Sequence, residues 1–262
     1  MRRILTSLLI VTLAVSFTLA RGGPGNRPGS GPGNGACDLP SIVADLPYEE
    51  LSAAEREGVL YMREEEKLAR DVYLTMDDLW GLRVFRNIAR AEQSHMDAVF
   101  SLIEKYDLPD PVGDNGRGQF TNPDLAALYN QLVEQGSRSI NDALLVGATI
   151  EDLDISDLQQ DLLDADNEDV RTVYQNLMKG SRNHLRAFYD LLQANGVDYT
   201  PQYISQADFD AIVSSPKERG MLDADGNPDP ACSGSGGPAG HGGHHGNRGR
   251  GRGGQGGCCG RR

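Results

Sequence analysis

Met62-Arg-Glu-Glu-Glu-Lys-Leu-Ala-Arg-Asp-Val-Tyr-Leu-Thr-Met76 is the stretch whose reading decides the fold. Val59, Met62, Glu66, Ala69, Tyr73 and Met76 recur at three- and four-residue steps, which is the repeat of one face of an α-helix. The spacing predicts a helix from about Ser52 to Leu79 that stops at Gly81. A second series, Phe85, Ile88, Glu92, His95, Val99, Leu102 and Tyr106, predicts a partner helix, and the short link makes the two antiparallel neighbours. Beyond a loop at Pro109 to Gly118, a minor helix is expected near Asp124 to Glu134. Leu144, Ala148, Glu151, Ile155 and Leu158 mark a third long helix. Val170, Tyr174, Leu177, Ser181, His184, Phe188 and Leu191 mark a fourth that ends near Gly196. Ser205, with Asp208 three residues on, caps a last short helix near Gln206 to Val213. No alternating strand pattern of useful length is present, so the expected class is all-α.

The polar residues on these apolar stripes carry the functional signal. Glu66 falls in register with Met62, Ala69 and Tyr73, and a carboxylate turned into a core demands a partner. Glu64 and Glu65 beside it read as a solvated charged face. Glu92 and His95 form an E-x-x-H pair, whose side chains leave a helix on one side, inside an otherwise apolar series. Glu151 lies in register with Leu144, Ala148 and Leu158. Asp154 follows at i+3, either as a ligand or as a solvated residue near a helix bend. A single inward histidine such as His184 is commonly a hydrogen-bonded core residue. Packing alone does not explain one or two such residues on each of four helices. Carboxylate oxygens with imidazole nitrogens suit iron, manganese or zinc.

The chain ends have a different character. Arg2 and Arg3, an apolar run from Ile4 to Leu19 and the closing Thr18-Leu19-Ala20 have the layout of a cleavable secretory signal over residues 1–20. An uncleaved anchor would need a longer run, about 20 apolar residues. The chain is therefore expected to be exported, periplasmic or extracellular, with no stable membrane insertion once the signal is removed. Residues 21–36 are a Gly/Pro-rich linker and residues 231–262 a Gly/Arg/His/Cys tail, both expected to be disordered. The domain between them, residues 37–230, holds all 38 Asp and Glu but only 16 of the 25 Lys and Arg. Such a surface repels nucleic acid and attracts cations. Cys37 and Cys232 bracket the domain, and a bridge between them is the favoured pairing of the three that four cysteines allow. Asp223 to Asp229 has some features of a calcium loop but lacks its glycine position and final Glu. The tail histidines His241, His244 and His245, with Cys258 and Cys259, read as a flexible tail or a metal-collecting arm. No Walker loop, dinucleotide fingerprint or nucleophile elbow occurs.

With these residues in hand, the chain resembles the ferritin-like superfamily. The segment from Glu66 through Tyr73 to Met76 looks like the first helix of ferritins, with a ligand Glu and a Tyr seven residues later. Glu92-x-x-His95 matches the second-helix pair and Glu151 the third-helix carboxylate. Gly180-Ser-Arg-Asn-His-Leu-Arg-Ala-Phe188 looks like a bacterial and archaeal branch whose members are domains of unknown function. The resemblance spans roughly residues 45 to 215. It implies an antiparallel four-helix bundle with a short extra C-terminal helix and a dinuclear centre held by Glu66, Glu92, His95, Glu151, His184 and, less directly, Asp154. Tyr73 would stand behind the ligands, and Glu66 or Glu151 would bridge the two metals. Symmetric members carry a second E-x-x-H on the fourth helix, where this chain has Ser181-x-x-His184. That leaves Asp154, a water-filled position or a weak second site in its place. Related centres react with dioxygen or peroxide, so a ferroxidase, peroxidase or catalase-like oxidoreductase is the implied activity. The alternatives are a metal-sequestering protein without turnover and a structural bundle whose site has decayed. A homo-oligomer is compatible with all three.

Overall fold

A computed structural model describes residues 38–230 and 232. Among the described residues there are seven α-helices and no strand: α1 (Leu39–Asp45), α2 (Ala53–Trp80), α3 (Arg83–Lys105), α4 (Pro123–Gly136), α5 (Ile140–Asp164), α6 (Glu168–Ala194) and α7 (Gln206–Ser214). None of them is long and apolar enough to cross a membrane. The expected secretory signal, linker and tail fall outside the described residues.

Local chemistry sets the helix ends. The Ser52 hydroxyl accepts the Glu55 amide at 3.1 Å while Glu55 returns to the Ser52 N–H at 2.8 Å, a reciprocal capping box that starts α2. Gly81 ends it in the left-handed conformation at φ 64°. Ser205 caps α7 through the Asp208 amide, as its spacing predicts. Helix α1 goes unread in the sequence because seven residues are too short for a periodic signal. Only its Asp38 cap and following proline announce it. Helix α5, Ile140–Asp164, runs several residues past its apolar series at each end.

The four long helices pack as a bundle, α2 against α3 and α5, and α6 against α3 and α5, while α4 covers α2 and α5. The core divides into two apolar halves. One gathers Leu68, Val72, Tyr73, Met76, Phe85, Ile88, Leu185 and Phe188. The other gathers Val59, Met62, Val99, Leu102, Leu158, Val170, Tyr174 and Leu177. On α2, α3 and α6 the break between the halves falls at Glu66, at Glu92 and His95, and at Ser181 and His184.

One expectation is overturned. Glu64 and Glu65 are not a solvated face, for each is only 3 % exposed. The segment between α3 and α4 lies across this side of α2. The Glu64 carboxylate accepts the N–H groups of Thr121 at 2.5 Å and Asn122 at 2.9 Å, and so satisfies donors at the start of α4. One turn on, Lys67 is fully buried, paired with Asp71 at 2.5 Å, bonded to the Gly116 carbonyl at 2.7 Å and placed over the Phe120 ring. Burial, followed by the charges of Asp152, Asp157 and lastly Glu65, raises the Tyr203 phenol.

The Asp223 carboxylate accepts the amides of Asp225 and Asn227, within a turn closed by the Leu222–Pro228 bridge. It serves there as a turn residue. Cys232 is disulfide-bonded. The expected partner Cys37, like Cys258 and Cys259, lies outside the described residues.

Candidate metal centre

Each of the four long helices contributes to one polar layer. Glu66 comes from α2, Glu92 and His95 from α3, Glu151 and Asp154 from α5, and Ser181 and His184 from α6. Their burial follows from register: each sits three or four residues from apolar neighbours on its helix, so the packing that buries those also buries it. The carboxylates of Glu66, Glu92 and Glu151 are each 2 % exposed and Asp154 is 6 % exposed. That disposes of the solvated reading of Asp154. The two imidazoles are slightly more open, at 11 % and 12 %.

Two groups of ligand-type atoms form within this layer, Glu66 with Glu92 and His95, and Glu92 with Glu151 and His184, each with its atoms within 4.8 Å of one another. His95 Nδ1 lies 3.2 Å from Glu66 Oε2 and 2.7 Å from Glu92 Oε2. His184 Nδ1 lies 2.9 Å from Glu92 Oε1 and 3.4 Å from Glu151 Oε2. The imidazole rings stack with centroids 5.6 Å apart. Glu92 is therefore common to the two groups, one oxygen facing each histidine. Register shows that a residue points inward but not which neighbour's axis it meets.

A further set of contacts orients these groups. Tyr73 donates its hydroxyl to Glu151, and Ser181 donates to Asp154 while lying 3.0 Å from the Leu177 carbonyl. Several polar atoms are left over: Glu66 Oε1 and Asp154 Oδ1 have no hydrogen-bond partner, and Glu92 Oε1 and His184 Nδ1 approach each other without hydrogen-bond alignment. Orphaned buried oxygens are rare and call for an explanation.

The electrostatics follow from that crowding. Burial raises the Glu66 carboxyl to about 8 even though His95 opposes it. Burial, followed by the charges of Glu66 and Glu151, pushes Asp154 well above the usual carboxylate range. Glu151 is raised by burial against the pull of His184. Glu92 goes the other way, because His184 and His95 together outweigh its burial and hold it low. Burial disfavours charge on His184, but Glu92 and Glu151 outweigh it and push this imidazole up to about 10. Without a cation, this layer keeps some acids protonated and charges its histidines instead.

All six expected ligands thus meet in one place, and Tyr73 stands directly behind Glu151. Gly180 was not expected to matter. A Cβ built there would fall 2.5 Å from Cε1 of His95.

Comparison with known proteins gives the chain its family. It is 56 % identical over 179 residues to the uncharacterized protein MJ0754 of Methanocaldococcus jannaschii, a match that covers 68 % of this chain and 97 % of the relative. The crystal structure of hypothetical protein MJ0754 from Methanococcus jannaschii superimposes with a TM-score of 0.65 at 57 % identity, over 66 % of this chain and 99 % of that one. Residues 55–216, which include every residue of the polar layer, match the uncharacterized protein domain DUF2202, and the chain belongs to that family.

Proposed function

We propose that this chain is an exported, ferritin-like protein whose helices α2, α3, α5 and α6 form an antiparallel four-helix bundle around a dinuclear metal centre that works with dioxygen or peroxide. The observation that carries this reading is the buried layer of four carboxylates and two imidazoles with orphaned oxygens at Glu66 and Asp154. Two divalent cations would balance all four carboxylates in their ionised form with both imidazoles neutral, whereas the metal-free layer has to protonate some of its acids. Mixed hard oxygen and imidazole donors fit iron or manganese, with zinc as a competitor.

Glu66, Glu92 and His95 would hold one ion and Glu92, Glu151 and His184 the other. Asp154, which accepts the Ser181 hydroxyl, would supply the carboxylate that a second E-x-x-H carries in symmetric relatives. When bound, such metals supply reversible changes of oxidation state and Lewis acidity. The protein's part is to keep the donors in place. Tyr73 fixes the Glu151 carboxylate and Ser181 fixes Asp154, as the groups behind metal ligands commonly do. The imidazoles are the most exposed members of the layer, so small molecules approach from the side of α3 and α6.

Metal-loaded protein should consume peroxide, and the apo form should not. Tight binding of two metals with no turnover would favour sequestration. The network reading, in which Glu92 and the histidines merely satisfy one another, leaves Glu66 Oε1 and Asp154 Oδ1 unexplained.

Asp154→Asn separates the metal reading from the network reading through stability. It removes an acid from a crowded buried cluster, and Ser181 can still donate to the Leu177 carbonyl. The metal-free protein should gain about 1 kcal/mol, while the stabilisation conferred by added metal should shrink. Thermal melts with and without manganese measure both. A variant whose metal response equals that of wild type would remove Asp154 from the ligand set.

A further inference from the structure

We propose that Gly180 is a positioning residue for His95: the bare α6 backbone at this point is the seat on which the imidazole rests, with Nδ1 turned toward Glu92 and Glu66. What the ring does there rests on the dinuclear reading above. The packing relation stands on the apo fold.

Gly180 lies in the interior of a 27-residue helix. Glycine is a poorer helix former than alanine at such a position, so its presence there calls for a cause. Its φ is not in the left-handed region, so backbone conformation is not that cause. Close approach is. An added Cβ would meet the His95 ring, 2.5 Å from Cε1 and nearer still to Nε2.

The ring is also held on its other sides. Its Nδ1 is held 2.7 Å from Glu92 and 3.2 Å from Glu66, and the His184 imidazole stacks beside it at an interplanar angle of 29°. Adding a methyl group at Gly180 must either turn His95 away from the carboxylates or push α6 from α3. The first outcome disturbs the Glu66–Glu92–His95 group and leaves the Glu151–His184 group nearer its original form, whereas the second also draws His184, which α6 carries, away from Glu92. The ring's Nε2 edge is against α6, which leaves Nδ1 as the nitrogen presented to the acids.

The test uses the full chain with Gly180→Ala, His95→Ala and the double variant, scored by apo melting temperature and by manganese bound per chain. Gly180→Ala alone should lower the apo melting temperature despite alanine's better helix propensity, and should weaken one of two manganese positions about 10- to 100-fold. In the His95→Ala background the same substitution should raise the melting temperature, because the obstructing ring is gone. Additive melting effects with unchanged manganese binding in Gly180→Ala would overturn the seat while leaving the dinuclear reading intact. If wild type bound no manganese but the two substitutions remained coupled in melting, the dinuclear reading would fail and the seat would be supported.

Discussion

Glu92→Ala is expected to abolish metal binding at both positions, with affinity falling more than about 100-fold at each, beyond what loss of an outer-shell partner costs. The reason is geometric. Glu92 Oε2 faces His95 and Glu92 Oε1 faces His184, so a single deletion takes an anionic donor from both groups. The fold should survive, because His95 keeps Glu66 at 3.2 Å and His184 keeps Glu151 at 3.4 Å. Glu66→Ala and Glu151→Ala should each weaken one position only. Elemental analysis after dialysis, alongside circular dichroism, distinguishes these patterns. One tightly held metal remaining in Glu92→Ala would show that the two groups do not share this carboxylate.

The second large effect lies away from the centre. Asp71→Ala should destabilise the protein by about 3–5 kcal/mol, the usual result of stripping one partner from a buried ion pair. Lys67 has no exposed surface, and its ammonium would keep the Gly116 carbonyl, the Phe120 face and the charge of Glu64, while Arg70 would lose Asp71 as well. The Gly118 amide, which donates to Asp71 at 3.0 Å, would lose its acceptor too. For a domain of this size the melting temperature should fall by roughly 10 °C or more. Metal stoichiometry should not change. Lys67→Met combined with Asp71→Leu should recover part of the loss, since the Lys67 charge goes with its partner while Arg70 keeps Gln93 but loses Asp71. Equal melting temperatures for Asp71→Ala and wild type would refute the account of this pair.

These two predictions also show what was legible in the sequence. The four long helices were, because the series from Val59, Phe85, Leu144 and Val170 each hold a helical period over several turns. The polar layer was legible for the same reason: Glu66, Glu92, His95, Glu151 and His184 interrupt those series at the inward phase. The cover over the remaining faces was not. A period gives the angle of a residue about its own helix but not what crosses that angle later in the chain. Glu64 and Glu65 therefore looked solvated, although the segment between α3 and α4 buries Glu64 together with Lys67 and Asp71. The sharing of Glu92, the bond from Ser181 to Asp154 and the contact between Gly180 and His95 all depend on how two helices meet. A single sequence carries no signal for those distances. The role of Asp154 stayed open in the sequence because i+3 from Glu151 places it at the edge of the inward stripe.

The central claim is that two metals sit on either side of Glu92, and anomalous diffraction from crystals of the manganese- or iron-loaded protein tests it most directly. The account predicts two peaks within about 2.0–2.3 Å of donor atoms, one beside Glu66 and His95 and the other beside Glu151 and His184, with Glu92 between them. Metal-saturated crystals with no peak in this layer, or with metal only at sites outside the bundle, would contradict it.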